Sequence, residues 1–268
     1  MTDNSDLIYQ NLFLTNAISR NISIVISGAE RIGSSWCALC LAHALNLEKK
    51  RVLLVDGNGK FSNITSYLIL QETKIIEEYI LGKKTLNQLT IPYKNKNFHI
   101  LTAQQGNNYL SELPLGRVQI FAEDLQILSE NYDCTIIDIG TELDSKNLSL
   151  CQIADNILIM SSENNADLIK TFDLIKFLNG TNIDANYNLI INRVNSFEDG
   201  YKSYEKLSKA SDRIALKCPE LLGSIRIDTR IRDAIRNKEL LLTRYPTSEA
   251  ALDICHIAKK LYQGILYE

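Results

Sequence analysis

Ile22-Ser-Ile-Val-Ile-Ser27 runs into Gly28-Ala29-Glu30-Arg31-Ile32-Gly33-Ser34-Ser35, and from there into an apolar helical pattern that lasts to Leu47. A β-branched run, a loop bounded by glycines and a helix form a strand–loop–helix unit, and the first amides of its helix have no intrahelical partner. Such a loop wraps phosphate, because glycine lets the backbone close in while the amides and the helix dipole supply positive charge. Gly28, Arg31, Gly33, Ser34 and Ser35 are therefore candidate anion-binding residues, with the Ser35 hydroxyl standing where a magnesium ion would be met. The lysine that normally precedes that hydroxyl is replaced by Ser34.

Further apolar, β-branched runs recur at 52–55, 98–101, 134–137, 156–160, 187–191 and 222–227. Unbroken runs of this kind suit strands buried on both faces of a parallel sheet. Amphipathic stretches separate or follow them at Gly116 to Glu130, Asp167 to Leu178, Tyr201 to Leu216 and Ser248 to Leu266. The alternation predicts an α/β fold, a doubly wound, mostly parallel sheet of about seven to eight strands with helices on both faces. Ligands of such folds sit at the carboxyl ends of the strands. Asp56 and Asp138 each end a strand run, which makes them candidate magnesium ligands and, where turnover occurs, catalytic residues. Residues 1–20 read as an N-terminal extension, 21–268 as a single domain, and Thr85 to Asn97 as a polar surface excursion.

A formal charge of -3 in 268 residues gives no strong nucleic-acid signal. The N-terminus carries acids and amides instead of a basic and then apolar leader, and no apolar window reaches the length of a membrane span, so the expected location is cytoplasmic. Six cysteines lie scattered, mostly within apolar runs, as reduced core thiols do. Cys37 and Cys40 have redox spacing but fall inside the helical pattern after the loop, where packing explains them. The three histidines are far apart and suggest no metal site.

From Ile22 to Leu261 the chain resembles the MinD/ParA/FlhG group of P-loop ATPases, of the SIMIBI type. That group's deviant loop, Lys-Gly-Gly-Val-Gly-Lys-Thr, falls on Ala29 to Ser35. Lys50-Arg-Val-Leu-Leu-Val-Asp56-Gly-Asn58, followed by Asn63-Ile64, is similar to its second strand and Asp-x-Asp, and Tyr132-Asp-Cys-Thr-Ile-Ile-Asp138 to its Walker B strand. The last third is most similar to FlhG, the flagellar-number member, in Asn188-Leu-Ile-Ile-Asn192, Leu222-Gly-Ser-Ile-Arg-Ile-Asp228 and Tyr245-Pro-Thr-Ser-Glu-Ala-Ala. The resemblance implies ATP/ADP with Mg²⁺ as ligand, Asn192 and Asp228 on the base side, a homodimer, a protein partner, and a role in cellular positioning or assembly.

Both lysines of the deviant loop are absent, replaced by Ala29 and Ser34, and Glu30 and Arg31 stand where it has glycines. Phosphoryl transfer rests on such charges, so the expectation is a degenerate Walker A motif and a chain that acts as a protein-binding module. Arg31 is the candidate replacement cation. The competing reading, a working ATPase of the same group, rests on the retained Gly33, Ser35, Asp56, Asp138 and Asn192. A nicotinamide-dependent short-chain reductase is the remote alternative, and its Tyr-x-x-x-Lys pair has only Tyr79 and Lys83, too early in the chain. Membrane association is expected to be weak or indirect, because Ala250 to Tyr267 reads as the last core helix and not as an added amphipathic tail. The arginines from Arg226 to Arg236 are interrupted by Asp228 and Asp233 and read as a solvated helix face, which leaves DNA binding a minor option.

Overall fold

A computed structural model describes residues 21–57, 64–70, 74–104, 113–141 and 144–266. The expected N-terminal extension and the matches at Asn58 and Asn63 lie outside these residues.

Eight strands form one sheet in the order β3-β4-β2-β5-β1-β6-β7-β8. They are β1 (Ile22–Ser27), β2 (Val52–Asp56), β3 (Ile91–Pro92), β4 (Phe98–Leu101), β5 (Cys134–Gly140), β6 (Asn156–Ser162), β7 (Asn186–Val194) and β8 (Glu220–Arg226). All pair in parallel except β3, which runs antiparallel to β4 at the edge. The helices are α1 (Ser34–Leu47), α2 (Glu77–Ile80), α3 (Leu86–Leu89), α4 (Leu115–Ser129), α5 (Ser145–Cys151), α6 (Asn165–Asn179), α7 (Phe197–Asp212), α8 (Thr229–Arg236), α9 (Leu241–Arg244) and α10 (Glu249–Leu266). The doubly wound expectation holds.

Strand side chains alternate between two cores. Ile22, Ile24 and Ile26 face one core with α4, α5, α6 and α7, while Val25 faces the other with α1, α8, α9 and α10. This period of two turns an unbroken apolar run into two buried faces. Helix α1 is buried from Ser34 to Asn46, which explains a sequence apolar nearly all round.

Three expectations need correction. Thr85 to Asn97 is more than a surface excursion: a capping box of Thr85 and Gln88 starts α3, Leu86, Leu89 and Ile91 are buried, and Pro92 sits on the edge strand, where a missing donor costs least. Helix α7 begins four residues before the expected Tyr201, because the Ser196 hydroxyl accepts from the Asp199 amide and caps it. It ends at Asp212 instead of Leu216, just before Ala215 turns to φ 53°. Strand β7 extends to Val194, past the expected end at 191.

Candidate functional site

Parallel pairing sets Asp56 of β2 directly beside Asp138 of β5, at the carboxyl ends of adjacent strands. Both are fully buried. The Gly57 amide donates to the Asp138 carbonyl at 2.8 Å, and a Cβ on Gly57 would lie 2.9 Å from that oxygen, so only glycine lets the chain leave β2 this close to β5. Burial raises the Asp138 carboxyl to about 6, while the neighbouring Ser35 hydroxyl and the Gly140 amide act to lower it. Its Oδ2 is buried with no hydrogen-bond partner among the described residues, as suits an atom that meets a cation or a cation's water.

The loop leads into the open N-terminus of α1. Gly33 caps α1 at φ 99°, no side chain caps the helix, and its first turn holds no acid, so the helix amides stay open to an anion. Ser34 and Ser35 are buried at that terminus. Ala29 is buried, whereas Glu30 and Arg31 are exposed. Arg31 has φ 60°, the left-handed conformation that a glycine would adopt freely. The backbone thus takes a bend that glycine would suit better than arginine does. Arg31→Gly is expected to leave the melting temperature unchanged or raise it, whereas Arg31→Val, β-branched, is expected to cost about 1–2 kcal/mol; thermal unfolding of both variants checks this.

Gly28 is pressed against α6: an added Cβ would lie 2.7 Å from the Thr171 Cα and amide nitrogen. Its place in the structure is thus a close contact between loop and helix. Asn192, at the end of β7, donates its side-chain amide to the Ile32 carbonyl at 2.7 Å and accepts from the Arg193 amide at 2.9 Å. It ties the loop to the strand. Asp228 caps α8, accepting from the Arg230 amide at 2.9 Å.

Beside the loop opens a cavity of about 350 Å³ lined by Trp36, Tyr67, Asn192, Arg193, Arg226 and Ile231, with Asp228 and Arg232 also on its wall. Of these, the sequence reading singled out Asn192 and Asp228 as site residues; Trp36 and Tyr67 look like core aromatics in the sequence, and Arg193 reads as an ordinary strand residue. Arg226 reads in the sequence as one of an interrupted run of arginines. Its guanidinium forks onto Asp253 at 2.8 and 3.1 Å and reaches Glu249 at 2.8 Å.

Cys37 and Cys40 are fully buried, and burial raises both thiols far above their ordinary value, which makes them inert packing groups. Among the described residues no three His, Cys, Asp or Glu side chains group as metal ligands, and no helix is long and apolar enough to cross a membrane. The donors Ser35, Asp56 and Asp138 fit a magnesium ion, while Ala29 and Ser34 carry no charge and Arg31 is the cation of the loop.

A family model described as an AAA domain (AAA_31) matches residues 30–191. The antiactivator FleN of Pseudomonas aeruginosa is 23% identical over 241 residues, covering 88% of this chain and 84% of that protein. The cell division ATPase MinD of Pyrococcus furiosus superposes with a TM-score of 0.76 at 16% identity, covering 91% of this chain and 99% of that one. MinD in the MinC:MinD cell division complex of Aquifex aeolicus gives 0.74 at 18% identity, covering 91% and 96%. With a family match over more than half its length on this strand–loop–helix fold, the chain belongs to the AAA domain family, as one of the MinD/ParA/FlhG-like P-loop ATPases.

Proposed function

We propose that the chain is a cytoplasmic regulator of positioning or assembly that works by binding a protein partner, not by turning over ATP. One observation carries the reading. A loop with Gly33 in the left-handed region and two buried aspartates behind it holds Ala29 and Ser34 at the positions where the deviant loop of the group it resembles has lysines. Open amides can still attract an anion, but the charge that develops in phosphoryl transfer would meet no cation from either position. The similarity to an antiactivator and to a division protein solved with its protein partner supports a regulatory, partner-binding role. Homodimer formation and a flagellar target belong to the same reading and follow from the FlhG-like last third.

A chain that acts by binding tolerates loss of its magnesium ligand. Replacing the chromosomal copy with Asp138→Asn, an isostere that keeps the buried packing, is expected to leave the deletion phenotype fully complemented. Failure of a stably accumulated Asp138→Asn protein to complement, beside a complementing wild type, would contradict the reading and favour the ATPase alternative.

A further inference from the structure

At the amino ends of the strands, opposite the loop, the fold pins together two basic segments that are far apart in sequence. Lys49-Lys50-Arg51 follows α1, and Lys94-Asn95-Lys96 lies in the turn between β3 and β4. The Asn95 side-chain amide donates to the Asn46 side chain at 2.7 Å, and the Val52 amide donates to the Asn97 carbonyl at 2.7 Å. Among the described residues no ion pair engages Lys49, Lys50, Arg51, Lys94 or Lys96. Lys49 and Lys94 both have φ 64°, a conformation that glycine adopts at less cost, and strain of this kind points to a use for the side chain. Beside the turn opens a cavity of about 430 Å³, lined by apolar Ile69, Leu70, Pro92 and Tyr93 together with Lys94 and Lys96. Ile69 is 67% exposed. The edge itself is closed to an added strand. Ile91 pairs with Ile100 and the Tyr93 amide donates to the Phe98 carbonyl, so Pro92 between them turns its backbone outward and has no amide to offer.

We infer that this groove docks an acidic segment of a partner protein, which enters it with large apolar side chains. The apolar anchors fill the cavity, and carboxylates flanking them meet Lys94 and Lys96 and, farther along, Lys49 and Arg51. The chain as a whole carries a formal charge of -3, so its attraction for an acidic partner is confined to this corner. A peptide fits the corner better than a bilayer or a duplex does. Glu48 and Asp133 stand beside the same cations in the chain, and an extended anionic surface would have to meet them too, whereas a peptide sets its acids only where the lysines stand. The inference rests on the reading that the chain works by binding a protein partner, and gives that reading a surface remote from the loop.

The probe is a short fluorescein-labelled peptide of glutamates interspersed with leucine and phenylalanine, titrated into the purified full chain up to ~1 mM while polarisation is read, a ceiling that detects weak sites. Saturable binding is expected, weaker at ~0.5 M salt than at ~0.05 M, as screening of exposed charges requires. Affinity is expected to fall about tenfold or more in Lys94→Glu/Lys96→Glu, in Ile69→Asp, and for a peptide with serine in place of its apolar residues. These substitutions alter exposed side chains, and unchanged melting temperatures confirm the fold. No saturable binding, or equal affinity in wild type and both variants, would overturn the inference. So would a serine peptide that binds as tightly as its parent, which would leave the cavity without a role. Phosphatidylglycerol vesicles or a DNA duplex that bind the wild type through Lys94 and Lys96 while the peptide does not would give the surface to lipid or nucleic acid instead. Complementation by Asp138→Asn separates the two readings. A peptide that fails beside a complementing Asp138→Asn chain defeats this inference alone, whereas a peptide that binds beside a non-complementing one defeats only the reading beneath it.

Discussion

Replacing Arg226 by methionine is expected to lower stability by about 2–3 kcal/mol, less than the cost of breaking a fully buried ion pair because the guanidinium is partly exposed while Asp253 is buried. Asp253 is 4% exposed. Its two oxygens receive the Arg226 backbone amide at 3.0 Å, Nε at 3.1 Å and Nη2 at 2.8 Å. Only the backbone bond would survive, leaving a carboxylate buried with most of its partners gone. The guanidinium also lies 4.6 Å from the centre of the Phe197 ring, a contact that joins the start of α7 to the end of β8. Asp253→Leu in the same chain removes the stranded charge, so the double variant Arg226→Met/Asp253→Leu is expected to recover most of the loss. Urea unfolding of the four proteins in the cycle checks this. Equal stabilities for the single and double variants would show that the pair is not what fixes this corner. A proline at this position could not donate the backbone bond to Asp253.

Acid is expected to destabilise the fold through His43 by about 3 kcal/mol between pH ~6.5 and ~4. Burial, with Lys94 nearby, lowers the ring to about 4. Above the ordinary histidine range neither state is charged there, and the group contributes nothing to the pH dependence. As pH falls through that range the unfolded chain takes up a proton that the folded ring refuses, and stability drops until the folded ring titrates as well. The ring stacks on Phe98 with centroids 6.4 Å apart, and its Nδ1 is buried without a hydrogen bond among the described residues. Asp138 works in the opposite direction over nearly the same window. Raised to about 6, it binds a proton in the folded state first and adds a comparable stabilisation as pH falls toward the ordinary carboxylate range. The wild-type curve is therefore flatter than either group alone would make it. His43→Leu is expected to tilt the curve toward higher stability at pH ~4 relative to pH ~7.5, and a wild-type-minus-variant difference that stays constant with pH would contradict the assignment.

Much of the fold was legible because its signals are local. Unbroken β-branched runs separated by helical patterns allow few arrangements other than a doubly wound sheet, and the two aspartates fell at strand ends that parallel register then brought side by side. Helix α7 was misplaced by four residues although Ser196 and Asp199 carry a capping signal, because the apolar pattern was read before the cap. Edge strand β3 escaped notice because two residues, one of them Pro92, give no periodicity. The cavity was the least legible part. Trp36 opens a helix, Tyr67 belongs to a 3₁₀ turn (Thr65–Tyr67), Arg193 is turned by a bulge and Arg232 sits on α8, four places in sequence that only the tertiary fold joins. Asn192 and Asp228 were located by resemblance, yet their side chains are engaged in tying the loop and capping a helix, a use that spacing cannot foretell.

The central claim is that the loop's shape outlived its chemistry, and steady-state phosphate release from Mg-ATP tests it most directly. Wild type is measured beside Asp138→Asn, which removes a magnesium ligand and sets the background. The account predicts that the two rates coincide. A wild-type rate clearly above that of Asp138→Asn would show that Arg31 or the open amides of α1 replace the missing lysines, and would contradict it.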